Sequence, residues 1–189
     1  MNFCSHCGSP SLVFRVPDGD NMPRFVCSEC DTIHYQNPKV VVGCLPTWGD
    51  QVLLCKRAIE PRLGLWTLPA GFLENAETIG AGAMRETLEE ANARVELGPL
   101  FTVISLPDIS QVYMMFTARL LDLGFGPGTE SLEVRLFRED DIPWEQLAFR
   151  TIARTLRNYF LDRKDGQLEL HVSAIRRRAA VSPATAAAA

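Results

Sequence analysis

From residue 40 onward the chain alternates short aliphatic runs with polar, glycine- or proline-bearing breaks. Val40-Val41-Val42 and Val52-Leu53-Leu54-Cys55-Lys56-Arg57 flank a turn at Trp48-Gly49-Asp50 and predict a β-hairpin. Trp66 to Phe72 reads as one further strand-like segment. It leads into the clearest helix, Thr78 to Ala91, where Ile79, Ala83, Leu88 and Ala91 recur at helical spacing. Strand signals return over Arg94–Ser105, Val112–Leu121 and Leu132–Phe137, and a second amphipathic helix is expected over Trp144–Leu161. Strands interrupted by two helices define an α/β domain with a mixed sheet.

Residues 1–37 have a different texture, with two Cys-x-x-Cys pairs, a polar turn at Asp18 to Asn21 and few aliphatic side chains. Gln36-Asn37-Pro38 is a natural boundary, because the residue before a proline is pushed out of the helical region. The expected organisation is therefore a small module over 1–37, the α/β domain over 38–175, and a disordered tail over 176–189. That tail has no apolar periodicity beyond Arg176-Arg177-Arg178.

The chain has 189 residues, 47% hydrophobic and 22% charged, enough for one sizeable domain and a small appendage. Its net charge of −4 argues against nucleic acid as the partner. No run approaches the roughly 20 apolar residues of a membrane span, and the N-terminus does not read as a secretory signal. The expected setting is the cytoplasm, where thiols stay reduced and paired cysteines more often hold metal than form disulfides.

Cys4-x-x-Cys7 and Cys27-x-x-Cys30 are separated by 19 residues, a spacing that lets two thiolate pairs close on one Zn²⁺. Four thiolates leave no open position on the ion, so the role is structural, as in a zinc ribbon; the alternative is four unrelated reduced cysteines. Cys44 and Cys55, inside apolar runs, read as core, and no chemistry is assigned to His6, His34 or His171.

On the first helix Glu86, Glu89 and Glu90 fall within about a 100° arc of one face, with Gly82 and Thr78 on the same side. Oxygen ligands so arranged suit Mg²⁺ or Mn²⁺, and a mid-helix glycine suggests a close approach beside them. A solvated acidic face is the alternative. Gly71, five residues, Glu77, seven residues, then Arg85-Glu86-Thr87-Leu88-Glu89-Glu90-Ala91-Asn92-Ala93 resembles the Nudix box, G-x5-E-x7-R-E-U-x-E-E-x-G-U with U aliphatic. All charged positions match. Thr87 replaces an aliphatic residue, and Asn92 replaces the second glycine, a mild change because Asn tolerates a left-handed helix end.

The resemblance implies a Nudix-type α/β/α sandwich preceded by a Cys4 zinc ribbon, as in pyrophosphatases of that family acting on ADP-ribose, FAD or NADH. It implies Glu86, Glu90, Glu89 and the backbone carbonyl of Ala70 as magnesium ligands, and Arg85 as the group that orients a carboxylate. Glu130, in the Gly124–Glu130 loop, is the candidate base, with Glu133 as an alternative. Trp66, Phe72 and Tyr113 are candidates to stack on a base, and other substrate contacts are unassigned. The NADH-cleaving members carry a Ser-Gln-Pro-Trp-Pro-Phe-Pro-like segment, where this chain has Ser105-Leu106-Pro107-Asp108-Ile109-Ser110-Gln111. The expected activity is hydrolysis of the diphosphate of ADP-ribose or FAD to release AMP. The alternatives are an NADH pyrophosphatase and a binding module with an inactive domain. The partner is a small-molecule nucleotide, with a homodimer as an option.

Overall fold

The computed structural model describes residues 1–176; the expectation for the tail beyond them lies outside the described residues. The chain divides into two compact units, Met1–Pro38 and the remainder from Lys39.

The first unit is a three-stranded antiparallel sheet of β1 (Leu12–Arg15), β2 (Arg24–Cys27) and β3 (Ile33–His34). Each Cys-x-x-Cys pair sits on a tight turn closed by a residue with positive φ, Gly8 after the first and Asp31 after the second. The N–H of Gly8 donates to the Cys4 carbonyl and that of Asp31 to the Cys27 carbonyl. The turns therefore form from the backbone alone, and Asp31 tolerates the left-handed conformation better than most side chains would.

The second unit runs β4 (Lys39–Trp48), β5 (Gln51–Arg57), β6 (Trp66–Thr67), β7 (Ala70–Phe72), α1 (Ile79–Ala91), β8 (Val95–Leu106), β9 (Gln111–Leu120), β10 (Ser131–Phe137), α2 (Arg150–Asp165) and β11 (His171–Ala174). The sheet order is β10-β5-β4-β9-β8-β11, with β4/β9 and β8/β11 parallel and the other neighbours antiparallel. β4 is central and covered on both faces, which is why its apolar run is continuous rather than alternating. Period-two geometry divides the inward residues. Val42, Cys44, Phe116 and Ala118 pack with Ala83 of α1, while Leu45, Val52, Leu54 and Met115 pack with Ile152, Leu156 and Phe160 of α2. With one helix on each face of a mixed sheet, the domain is an α/β/α sandwich. Cys44 and Cys55 lie in its core.

The segment from Trp66 to Phe72 is two strands rather than one. β4 and β5 pair directly only at Thr47↔Val52 and Trp48↔Gln51. Beyond that the sheet divides, with β6 pairing with β5 and β7 with β4. The chain crosses between the two banks at Leu68-Pro69, where proline has no N–H for a ladder. α2 begins at Arg150 rather than Trp144. Pro143 starts a 3₁₀ turn at Trp144–Gln146, and Leu147 and Ala148 are then held extended against Trp66, with the Ala148 N–H donating to its carbonyl at 2.8 Å.

Candidate active site

α1 opens with Thr78 as its cap, its hydroxyl accepting from the Ala81 N–H at 3.1 Å. It closes on Asn92 in the left-handed conformation (φ 47°), whose N–H donates to the Leu88 carbonyl. The glycine-rich loop completes this end. Gly126 N–H donates to the Ala91 carbonyl at 2.8 Å, Gly128 N–H to the Glu90 carbonyl at 3.0 Å, and the Asn92 amide to the Pro127 carbonyl at 3.0 Å. These bonds satisfy carbonyls that a helix end otherwise leaves without partners. Thr87, fully buried where an aliphatic residue is usual, donates its hydroxyl to the Ala83 carbonyl at 2.8 Å, so no polar atom there is stranded.

Arg85 is the hub of the acidic face. Its guanidinium binds Glu77 with both Nε (3.1 Å) and Nη2 (2.8 Å), and Nη1 reaches Glu86 (2.7 Å) and Glu89 (3.0 Å). Sequence reasoning gave Glu77 a place in the box but no role; the structure makes it the carboxylate that braces Arg85. The Arg85 bonds hold Glu77 down at about 2. The close approach implied by Gly82 is that of the Glu77 carboxylate and Val42, since a Cβ there would lie 2.7 Å from Glu77 Oε1. Gly71 serves Glu86 in the same way, because a Cβ on it would fall inside the Glu86 carboxyl group.

Glu86, Glu89, Glu90, Ala70 and Glu130 all line one cleft of about 1120 Å³. Glu90 is buried and accepts from the Ala70 N–H at 3.1 Å. Burial pushes its carboxyl up to about 7, with the Glu86 and Glu130 charges adding to the rise against the pull of Arg57. Burial lifts Glu86 as well, against the pull of Arg85. Glu89 is the outermost of the three, its side chain 58% exposed. Carboxylates crowded into a partly dry cleft form an oxygen donor set suited to a hard divalent cation, whose charge would favour their ionised forms. Glu133 is not among them. It faces away beside Lys56 and Arg135, and so drops out as an alternative base.

Of the three aromatic candidates, Trp66 belongs to the core, edge-on to Phe137. Phe72 is 50% exposed on the cleft wall with Lys39 over its ring, and Tyr113 lines the same cleft half-buried. Another part of the lining was not foreseen. Arg57, whose guanidinium lies 5.2 Å from the Phe149 ring centroid, lines the cleft with Arg150 and Thr151 at the start of α2. Only tertiary structure brings these segments together.

In the first unit, the Sγ atoms of Cys4 and Cys30 lie 3.7 Å apart and those of Cys7 and Cys27 3.6 Å apart, all four within 4.8 Å. A tetrahedron of sulfurs at about 2.3 Å from zinc has edges of about 3.8 Å, so this cage fits Zn²⁺. Among the described residues it is the one place where three or more His, Cys, Asp or Glu ligand atoms gather so closely.

Two family models match the chain: a Nudix N-terminal zinc ribbon over residues 2–36 and the NUDIX domain over residues 37–160. The chain belongs to the Nudix hydrolase family. A solved NUDIX hydrolase from Nitrosomonas europaea is 60% identical, with a TM-score of 0.90 over 94% of this chain and 100% of that one. The NAD-capped RNA hydrolase NudC of Pseudomonas aeruginosa is 28% identical over 88% of this chain, which spans 58% of that relative's length. The ADP-ribose pyrophosphatase of Methanocaldococcus jannaschii is 29% identical over 61% of this chain and 69% of its own. A solved ADP-ribose pyrophosphatase from Streptococcus suis, 23% identical with a TM-score of 0.60 over 72% of this chain and 99% of that one, shows the fold.

Proposed function

We propose that the protein hydrolyses, with Mg²⁺ or Mn²⁺, the diphosphate bond of ADP-ribose or FAD, releasing AMP. The observation that carries this reading is the joint placement of Glu86, Glu89 and Glu90, braced by Arg85 and Glu77, in a cleft large enough for a dinucleotide. Glu86 and Glu90, with Glu89 and the Ala70 carbonyl, would hold the metal. Bound there, the ion would supply charge neutralisation on the phosphoryl oxygens and make water at the site more acidic. Arg85 fixes the Glu86 and Glu89 carboxylates, and the Ala70 N–H fixes Glu90. Glu130, whose charge is felt by both Glu86 and Glu90, takes the proton from the attacking water. The water oxygen joins one phosphorus, the P–O–P bridge breaks, and AMP leaves with ribose 5-phosphate or FMN as the second product. Phe72 and Tyr113 offer stacking surface for the base.

The ribbon's role is structural through Zn²⁺ on Cys4, Cys7, Cys27 and Cys30. None of the six cysteines forms a disulfide in the structure, and the proposed setting is the cytoplasm. No helix among the described residues is long and apolar enough to cross a membrane.

The test is a set of initial rates at equal low concentration of ADP-ribose, FAD, NADH and dGTP with Mg²⁺. ADP-ribose or FAD should give the highest kcat/KM. Glu86→Gln and Glu90→Gln should each lower kcat by about two orders of magnitude or more with the fold retained. The similarity to NAD-capped RNA hydrolases favours a second reading, in which NADH or an NAD-capped end wins. Lack of metal-dependent turnover on every nucleotide would leave a binding module.

A further inference from the structure

We infer that the side-chain amide of Gln111 recognises the adenine of the substrate, accepting from its amine and donating to the adjacent ring nitrogen. The inference rests on the reading that the cleft takes a nucleoside diphosphate derivative, and it gives the adenine end of that molecule a place.

Strand register sets out one floor of the cleft. On β4, Val41 stands between Phe72 of β7 and Tyr113 of β9. Two residues along, Lys39 is paired with Gln111, and Gln111 in turn with Leu106 of β8. Paired residues project on the same side of a sheet, as do residues two apart on a strand, so these six share one face. It is the face on which Met115, further along β9, packs with α2. Val41, Phe72, Leu106, Gln111 and Tyr113 all line the cleft.

On this strip of aliphatic and aromatic side chains, Gln111 sets one amide donor beside one acceptor. It is partly buried, and among the described residues its amide makes no hydrogen bond. Ligand sites that are mostly apolar take their orientation from the few polar groups placed in them. A glutamine amide matches adenine because that base carries an amine donor next to a ring-nitrogen acceptor, so two hydrogen bonds form together. Guanine shows two acceptors on the corresponding edge, and one of them would face the amide oxygen.

The spacing from the carboxylates fits a nucleotide. Ala70, whose N–H holds Glu90, pairs with Gly43 of β4, four residues from Lys39. At about 3.3 Å per residue, the rows of Ala70 and Gln111 lie about 13 Å apart. That is the scale of a mononucleotide from its phosphate to the far edge of its base. A phosphate held beside the carboxylates therefore brings adenine within reach of Gln111.

The test is calorimetry on the full, zinc-loaded chain with Mg²⁺, comparing AMP with purine riboside 5′-monophosphate, which differs from AMP only in lacking the amine. Neither has a diphosphate to cleave. The wild type should bind AMP about tenfold more tightly. Gln111→Leu and Gln111→Met should bind the two alike, and both should melt close to wild type, because the amide makes no internal bond. Comparing two ligands on one variant cancels any general loss of binding. With ADP-ribose, Gln111→Met should raise KM by a larger factor than it lowers kcat, since the contact is remote from the broken bond. A preference for AMP that survives in both variants, or no preference in the wild type, overturns the contact. Loss of the preference in both variants, without turnover of any dinucleotide, upholds the contact and overturns the functional reading.

Discussion

Gly71 and the Glu86 carboxyl group compete for one volume, so the glycine is a condition for where that carboxylate can stand. Gly71→Ala should therefore move the tip of a flexible side chain and little else. We expect a stability loss of about 1 kcal/mol or less and a fall in metal-dependent kcat of about a hundredfold, read by thermal melts and initial rates. Equal losses in both would mean that the strand itself had moved. The Arg85–Glu77 pair makes a pH prediction. Its bonds hold Glu77 at about 2 against an ordinary 4.5, so the folded protein keeps that carboxylate charged where the unfolded chain would protonate it. The stabilisation is present above 4.5 and is lost as pH falls toward 2. Glu77→Gln should be less stable than wild type in urea at neutral pH, and the gap should close over that acidic range. A gap that did not change with pH would place its origin elsewhere. At this scale the sequence disclosed which carboxylates share a helix face, since that follows from 100° per residue. It did not disclose that Glu77 braces Arg85, because a loop residue's direction depends on the whole fold.

α1 and the glycine-rich loop form one unit at the level of elements. A Cβ on Gly128 would collide with the Glu89 carbonyl, a backbone atom that cannot step aside. Gly128→Ala should cost about 2 kcal/mol or more in urea unfolding and lower turnover as well, because Glu130 lies two residues along the same loop. Unchanged stability would mean that the loop does not need this close approach to α1. The hairpin and α1 were legible because their signals are local: a Gly-Asp turn between aliphatic runs, a Thr cap and an Asn end. The start of α2 was not, since Leu147 and Ala148 are diverted by a bridge to Trp66, more than 80 residues earlier in the chain. β11 was missed for a similar reason. It is a four-residue edge strand paired in parallel with β8, and so short a run carries little periodicity of its own.

On the scale of the molecule, the two units depend on different stabilising forces. The ribbon has little core, so its folding should be tied to its metal, whereas the domain is held by apolar clusters on both faces of its sheet. Purified protein should contain about one zinc per chain. Cys7→Ser or a strong chelator should expose amides of residues 1–38 to hydrogen exchange while those of β4, β5 and β9 stay protected. Simultaneous loss of both would show that the units melt together. The lining of the cleft has a wider consequence. Glu86, Glu89 and Glu90 arrive from α1 and Phe72 from the strand before it, whereas Arg57, Tyr113, Glu130, Phe149, Arg150 and Thr151 arrive from separate stretches of chain, Glu130 with its carbonyl bonded to the Ala58 N–H. Groups for bond-breaking and groups for molecular preference are thereby interleaved along the gene, and no single segment of it carries either.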